Sequence, residues 1–221
     1  MRDEIIVCGM IMETGPVNDY DRRLVILTKD RGKITVFAKG ARRQGNKLMA
    51  ATNPFCFGNF KLYEGKTAYN LIDAEILNYF EELREDFEGA YLGMYFLELA
   101  SYYTRENNDD IDMLKLLYQS VRAIIKPNLN NELVRAIVEI KTLCINGIFP
   151  GVPKDMTLLP GTVRTIDYIV NSNIESIFNF KVTEDILDEL KTLNNIYSKR
   201  FYDREFKSLR LLENLDASLY N

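Results

Sequence analysis

The chain has 221 residues, 47% of them hydrophobic, and a formal net charge of -4, enough apolar content for one large domain or two modest ones. Its longest apolar runs, such as Ile5 to Met12, fall short of the roughly 20 residues of a membrane-spanning helix, and Asp3 and Glu4 interrupt what a signal peptide needs, so a cytoplasmic protein is expected. There is no histidine, which excludes Ser-His-Asp and Cys-His nucleophiles and imidazole ligation of zinc; Cys8, Cys56 and Cys144 are scattered among apolar neighbours and read as buried free thiols.

The first eighty residues read as a small all-β unit. Ile5 to Met12 and Leu24 to Leu27 are apolar strand candidates, and ITVFA, from Ile34 to Ala38, is a third. Asp30-Arg31-Gly32 suits a three-residue hairpin loop with the glycine left-handed. Phe55 and Phe57 are taken to alternate toward Phe60 and Leu62 in a fourth strand, and Glu64-Gly65-Lys66 turns the chain into a fifth, from about Thr67 to Leu77. Five short strands at this spacing suggest a barrel or a sandwich.

From about Arg84 the period changes to 3.6. Leu92, Tyr95, Phe96, Leu99 and Tyr103 form one helical stripe. Ile111, Leu114, Leu117, Tyr118 and Val121 form the next, until Pro127 stops it. A third helix starts near Asn131, with Leu133, Ala136, Ile137, Ile140 and Cys144 inward and Gly147 at its C-terminal cap. Two more are expected, Val163 to about Val170 and Ile186 to about Tyr197, the last capped by Thr183. These stripes, including the aromatic set Tyr91, Tyr95, Phe96, Tyr102 and Tyr103, are taken as packing surfaces. IFPGVPKDMTLLPG, between the third and fourth helices, reads as an ordered crossing segment.

Charge is segregated along the chain. From Arg31 to Tyr63 there are seven basic residues and no acid, while the remainder holds 21 basic and 32 acidic residues. At its centre Phe37 to Lys47 reads FAKGARRQGNK, with four basic side chains and two glycines. A charge run of this kind is either a solvated loop or a polyanion-binding segment. Its place on a small barrel and the close approach that Gly40 and Gly45 permit favour the second reading. A second cluster, Lys199, Arg200, Arg204, Lys207 and Arg210 among Tyr197, Phe201, Tyr202 and Phe206, reads as an amphipathic C-terminal helix docking its aromatics, with nucleic-acid contact as the alternative. The acid pairs Asp109-Asp110 and Glu81-Glu82 are neighbours that do not face one another on a helix, and no catalytic role is expected for them.

DYDRRLVILTKDRGKITVFAKGARR, from Asp19 to Arg43, resembles the N-terminal segment of the bacterial RecO recombination-mediator family. NPFCFGNFKLYEG resembles the family's fourth strand and turn, LREDFEGAYLGMYFLELASYYT its first long helix, and LLPGTVRTIDYIVNSNIESIFNFKVTEDILDEL with FKSLRLLENL its closing helices. The resemblance implies an α+β chain: a five-stranded OB-fold barrel in residues 1–80 followed by an all-helical domain in 81–221. It implies a non-enzymatic DNA repair and recombination protein, cytoplasmic and nucleoid-associated, that binds single- and double-stranded DNA and anneals complementary strands. The implied partners are RecR, the acidic and apolar tail of single-stranded-DNA-binding protein, and, indirectly, RecA. Matched position by position, it places Lys33, Lys39, Arg42 and Arg43 on the DNA side of the barrel, with Lys47 added by adjacency.

Many members of that family carry a four-cysteine zinc module after the third helix; here residues 148–161 hold no cysteine, so no zinc or other cofactor is expected. A protein-interaction adaptor with little direct DNA binding is the competing reading. An acidic, apolar tail needs a basic rim around an apolar pocket, and Lys115, Arg122, Lys126, Arg135 and Lys141 are available for one.

Overall fold

The structure is a computed structural model that describes residues 4–219. The chain divides into two compact units: residues 1–81 with 97–114, and residues 82–96 with 115–221.

In the first unit, β1 (Glu4–Val17), β2 (Asp21–Thr28), β3 (Gly32–Ala38), β4 (Phe57–Glu64) and β5 (Tyr69–Asn78) close into a barrel in the order β1-β2-β3-β5-β4. All pairings are antiparallel except the parallel β3–β5 seam, the mixed topology of an OB-fold. Strand β1 is longer than its apolar run because it serves two partners. Glu4–Met10 pairs with β4, Gly9–Val17 pairs with β2, and a register shift between Ile11 and Glu13 lets the strand bend between them. Period two then fills the barrel with Val7, Ile11, Leu24, Ile26, Ile34, Val36, Phe60, Leu62 and Leu71. Phe57 has the parity of the outward residues Asn59 and Lys61, and Phe55 precedes the strand with φ 70, so neither continues the inward row of Phe60 and Leu62. A short helix missing from the sequence reading, α1 (Leu48–Ala51), lies in the β3–β4 connection.

Strand β2 is buried on both faces over Leu24–Thr28, which is why it reads as an unbroken apolar run. Outside the barrel, Val25, Leu27, Met10 and Met12 are buried as well. The C-terminal part of α2 (Phe87–Tyr103) and the turn after it are fastened over this face. Lys33 Nζ donates to Ser101 O at 2.5 Å, Ser101 Oγ donates to Glu13 Oε1 at 2.9 Å, and Lys33 N donates to Arg105 O at 3.0 Å. Gly32, left-handed at φ 61 as its hairpin requires, also lies so close that a Cβ would collide with Arg105 O.

The second unit is helical, with α4 (Asn131–Ile145) at its centre: ten of its residues are buried, and it packs on α5 (Pro160–Asn171) and α6 (Glu184–Phe201). Asn130 caps it, Oδ1 accepting from Glu132 N and Leu133 N at 2.8 and 3.2 Å. Gly147, at φ 67, ends it as expected. Helix α5 is held at both ends by charges matched to its dipole. Glu189 accepts from Leu159 N and Thr162 Oγ1 at the N-terminus, and Lys141 Nζ donates to Ile169 O, Val170 O and Ser172 O within 3.0 Å at the C-terminus. Thr183 sits at the N-cap of α6, but its side chain makes no capping bond; Glu184 and Asp185 supply the negative charge there. The C-terminal basic and aromatic cluster is not one helix: α6 ends at Phe201 and α7 (Lys207–Leu219) follows a break. Its rings dock, with Tyr197 and Phe206 buried, while Lys199, Arg200, Arg204, Lys207 and Arg210 stay exposed.

Candidate nucleic-acid interface

After β3 the chain turns at Gly40, left-handed at φ 67. Gly40 N donates to Asp21 Oδ1 at 2.8 Å, and Gly40 O accepts from Arg43 N at 2.9 Å and from Asn46 Nδ2 at 2.8 Å. Asn46 Oδ1 in turn accepts from Leu48 N at 2.8 Å, starting α1. The backbone N–H of Gly40, followed by Asn18 and the charges of Lys39 and Arg43, holds the Asp21 carboxyl below the usual aspartate range. Ala41 is fully buried at the centre of KGARR, so the loop is anchored by its smallest side chain and turns the flanking cations outward.

Lys39, Arg42 and Arg43 are exposed, and both arginines gather at the β1–β2 turn, Asn18 to Tyr20. Arg42 N donates to Tyr20 O at 2.9 Å, and its guanidinium points at Asn18 O and Asp19 O, 3.4 and 3.3 Å away. The Arg43 guanidinium lies 5.0 Å from the centroid of the Tyr20 ring.

The other two expected residues, Lys33 and Lys47, are committed to other partners. Lys33 is six positions before Lys39 on the same face of β3, about 20 Å along an extended strand, and is bonded to α2. Lys47 is exposed but paired with Asp73 at 2.8 Å, and the Lys47 ammonium, as the leading cause, holds the Asp73 carboxyl below its usual range.

The same sorting applies to the whole positive run. Arg31 pairs with Glu64 at 3.5 Å and Lys61 with Glu4 at 2.6 Å, so the distant acids in the chain meet Arg31, Lys47 and Lys61. Lys39, Arg42 and Arg43 make no ion pair among the described residues. Folding thus gathers Lys39, Arg42 and Arg43 at one end of the β2–β3 ribbon.

The sequence reading omitted three residues of that face: Tyr20, Arg23 and Phe37. Arg23 pairs with Phe37 across β2–β3, and Phe37 shares the outward parity of Lys39. Arg23 is exposed, whereas its neighbour Arg22 turns to the barrel rim and donates through Nη1 to Met49 O, Thr52 Oγ1 and Asn53 Oδ1 at 3.0, 2.7 and 3.1 Å. Period two in DRRLVIL, with Leu24 inward, is the signal that separates the two arginines. Chemically, the face joins cations for phosphate oxygens with partly exposed rings, on the β2–β3 surface and β1–β2 loop that OB-folds use for oligonucleotides.

In the helical unit, two of the five cations considered for a basic rim are committed internally. Lys141 holds the end of α5. Arg135 is bonded to Glu139 at 2.9 Å, and Glu139 also accepts from the buried Tyr95 hydroxyl at 2.8 Å. Lys126 does line a cavity of about 410 Å³, with Pro127, Leu129, Phe178, Phe180 and Lys181. Residues 148–161 are tied to α6, with Phe149 edge-on to Tyr197 and Tyr197 Oη donating to Gly151 O at 2.9 Å. Among the described residues no helix is long and apolar enough to cross a membrane.

Comparison with known families gives two matches: the model for the N-terminal part of recombination protein O covers residues 1–80, and that for its C-terminal part covers residues 84–156. Proteins described as DNA repair protein RecO are similar over nearly the whole length. The one from Acetivibrio thermocellus is 24% identical over 94% of this chain and 96% of its own, and the one from Clostridium novyi 24% over 96% and 95%. That from Alkaliphilus metalliredigens is 31% identical over 64% of this chain and 58% of its own.

Proposed function

Since the chain belongs to the RecO family of DNA repair proteins, we propose that it binds DNA through Lys39, Arg42 and Arg43, assisted by Arg23, and uses that face to anneal complementary strands. The observation that carries this is the convergence, on the end of the β2–β3 ribbon, of cations that make no ion pair among the described residues. Each phosphate they neutralise releases condensed counterions and lowers the repulsion between two strands held together, so pairing proceeds without covalent chemistry. Lys47 joins the face by leaving Asp73, since an exposed ion pair contributes little. Lys33 is a fastening of α2 in this reading. Annealing measured with complementary oligonucleotides tests it: Lys39→Glu, Arg42→Glu and Arg43→Glu together abolish annealing and leave thermal melting nearly unchanged. Full annealing by that variant overturns the assignment.

The cavity at the α3–α4 and α5–α6 turns supports a second role, where α3 is Ile111–Ile124. Its apolar wall of Phe178, Phe180 and Leu129 between Lys126 and Lys181 suits the acidic, apolar tail of single-stranded-DNA-binding protein. With RecR, a protein holding both that tail and the strand would help RecA replace the covering protein. Lys126→Glu with Lys181→Glu loses the tail peptide and keeps oligonucleotide binding; unchanged peptide affinity excludes this cavity.

A further inference from the structure

Given the DNA-binding reading above, we infer that Tyr20 stacks on an unpaired base and makes the face prefer single strands to duplex. A half-exposed tyrosine in a turn needs no ligand by itself. The surroundings of this one do point to a ligand. Tyr20 is 51% exposed, although its backbone is fixed: Tyr20 O accepts from Arg42 N at 2.9 Å. The ring is therefore presented by the same bond that places the basic loop.

Arg43 stands over the ring, 5.0 Å from its centroid, and Arg43 makes no ion pair among the described residues. Guanidinium and phenol are both planar stacking partners, so a nucleobase can take either the face of the ring away from Arg43 or the face that Arg43 leaves when it moves to a phosphate. Phe37, partly exposed and opposite Arg23 in the β2–β3 register, offers a second ring on the same surface. Within a duplex both faces of each base are covered by neighbouring bases. Only an unpaired base can use Tyr20, whereas the phosphates of either form can use Lys39 and Arg42. Charge then sets affinity for any DNA, and the ring sets the preference between forms.

The test uses the full chain and three probes of equal length by fluorescence anisotropy: oligothymidine, the same backbone with abasic sites throughout, and a duplex. The wild-type protein binds oligothymidine about tenfold more tightly than the abasic strand, the effect expected for one stacked base. Tyr20→Ala loses about that factor on oligothymidine and less than about twofold on the other two probes, and Tyr20→Phe retains wild-type binding. Equal wild-type affinity for the thymidine and abasic strands overturns the inference, and this comparison requires no variant to fold. So does a Tyr20→Ala loss that is absent, or that is the same on all three probes. Failure of the DNA-binding reading looks different: the triple Glu variant of Lys39, Arg42 and Arg43 would then leave all three affinities unchanged.

Discussion

Asp21 Oδ1 accepts the backbone N–H of Gly40 at 2.8 Å, so a carboxylate at the start of β2 sets the loop that carries the candidate DNA contacts, nineteen residues further on. The bond separates two roles of Asp21, as an acceptor and as a negative charge near Lys39 and Arg43. Asp21→Asn keeps an acceptor and removes the charge; Asp21→Ala removes both. Oligonucleotide affinity should therefore hold or rise in the Asn variant and fall severalfold in the Ala variant. Equal affinities would mean that the charge alone matters.

The same bond fixes the direction of a pH effect. The folded-state pKa of Asp21 is depressed, so its stabilising contribution is complete above the unfolded value of about 3.9 and is lost as pH falls through the folded value. The Gly40 amide resonance should stay constant from neutral pH down to about pH 4 and move only below it. A titration centred well above that would mean Asp21 is not its acceptor.

Arg22 joins three acceptors around α1 through one guanidinium nitrogen. Lysine offers a compact ammonium on a flexible four-carbon stem and cannot keep the same planar geometry. Arg22→Lys should lower stability by about 2 kcal/mol in urea unfolding. A loss under about 0.5 kcal/mol would show that water substitutes for the guanidinium.

Glu139 is the shared acceptor of Tyr95 and Arg135 inside the helical unit. Glu139→Leu leaves a largely buried guanidinium without its nearer carboxylate, Glu213 remaining 3.4 Å from the other nitrogen, and should destabilise by about 3–5 kcal/mol. Tyr95→Phe removes one neutral donor to that carboxylate and should cost about 1.5–3 kcal/mol. The contrast is read by urea unfolding of the two variants side by side. Similar losses would mean that packing, not the charge, dominates there.

Most of the architecture was legible because periodicity reports which side of an element meets a core. The Ile34–Ala38 run, the Asp30-Arg31-Gly32 hairpin, the stripe through Tyr95 and Leu99 and the Gly147 cap all follow from local chemistry. Helix α1 was illegible because four residues hold barely one turn of any period. Lys141 looked like a surface cation because its role depends on the carbonyls of α5, 28 to 31 residues away. The candidate site divides in the same way. The positive run is visible in the sequence, but its neutralisation by Glu4, Glu64 and Asp73 is tertiary, and so is the meeting of Arg43 with Tyr20.

The most direct test of the proposed DNA-binding face is a salt titration of single-strand binding, comparing the wild-type chain with the triple variant Lys39→Glu, Arg42→Glu, Arg43→Glu. The log of affinity should fall linearly with log salt in the wild type, and the triple variant should reduce the magnitude of that slope by about 2, roughly 0.7 for each lost phosphate contact. An unchanged slope in the variant would contradict the assignment of these three residues.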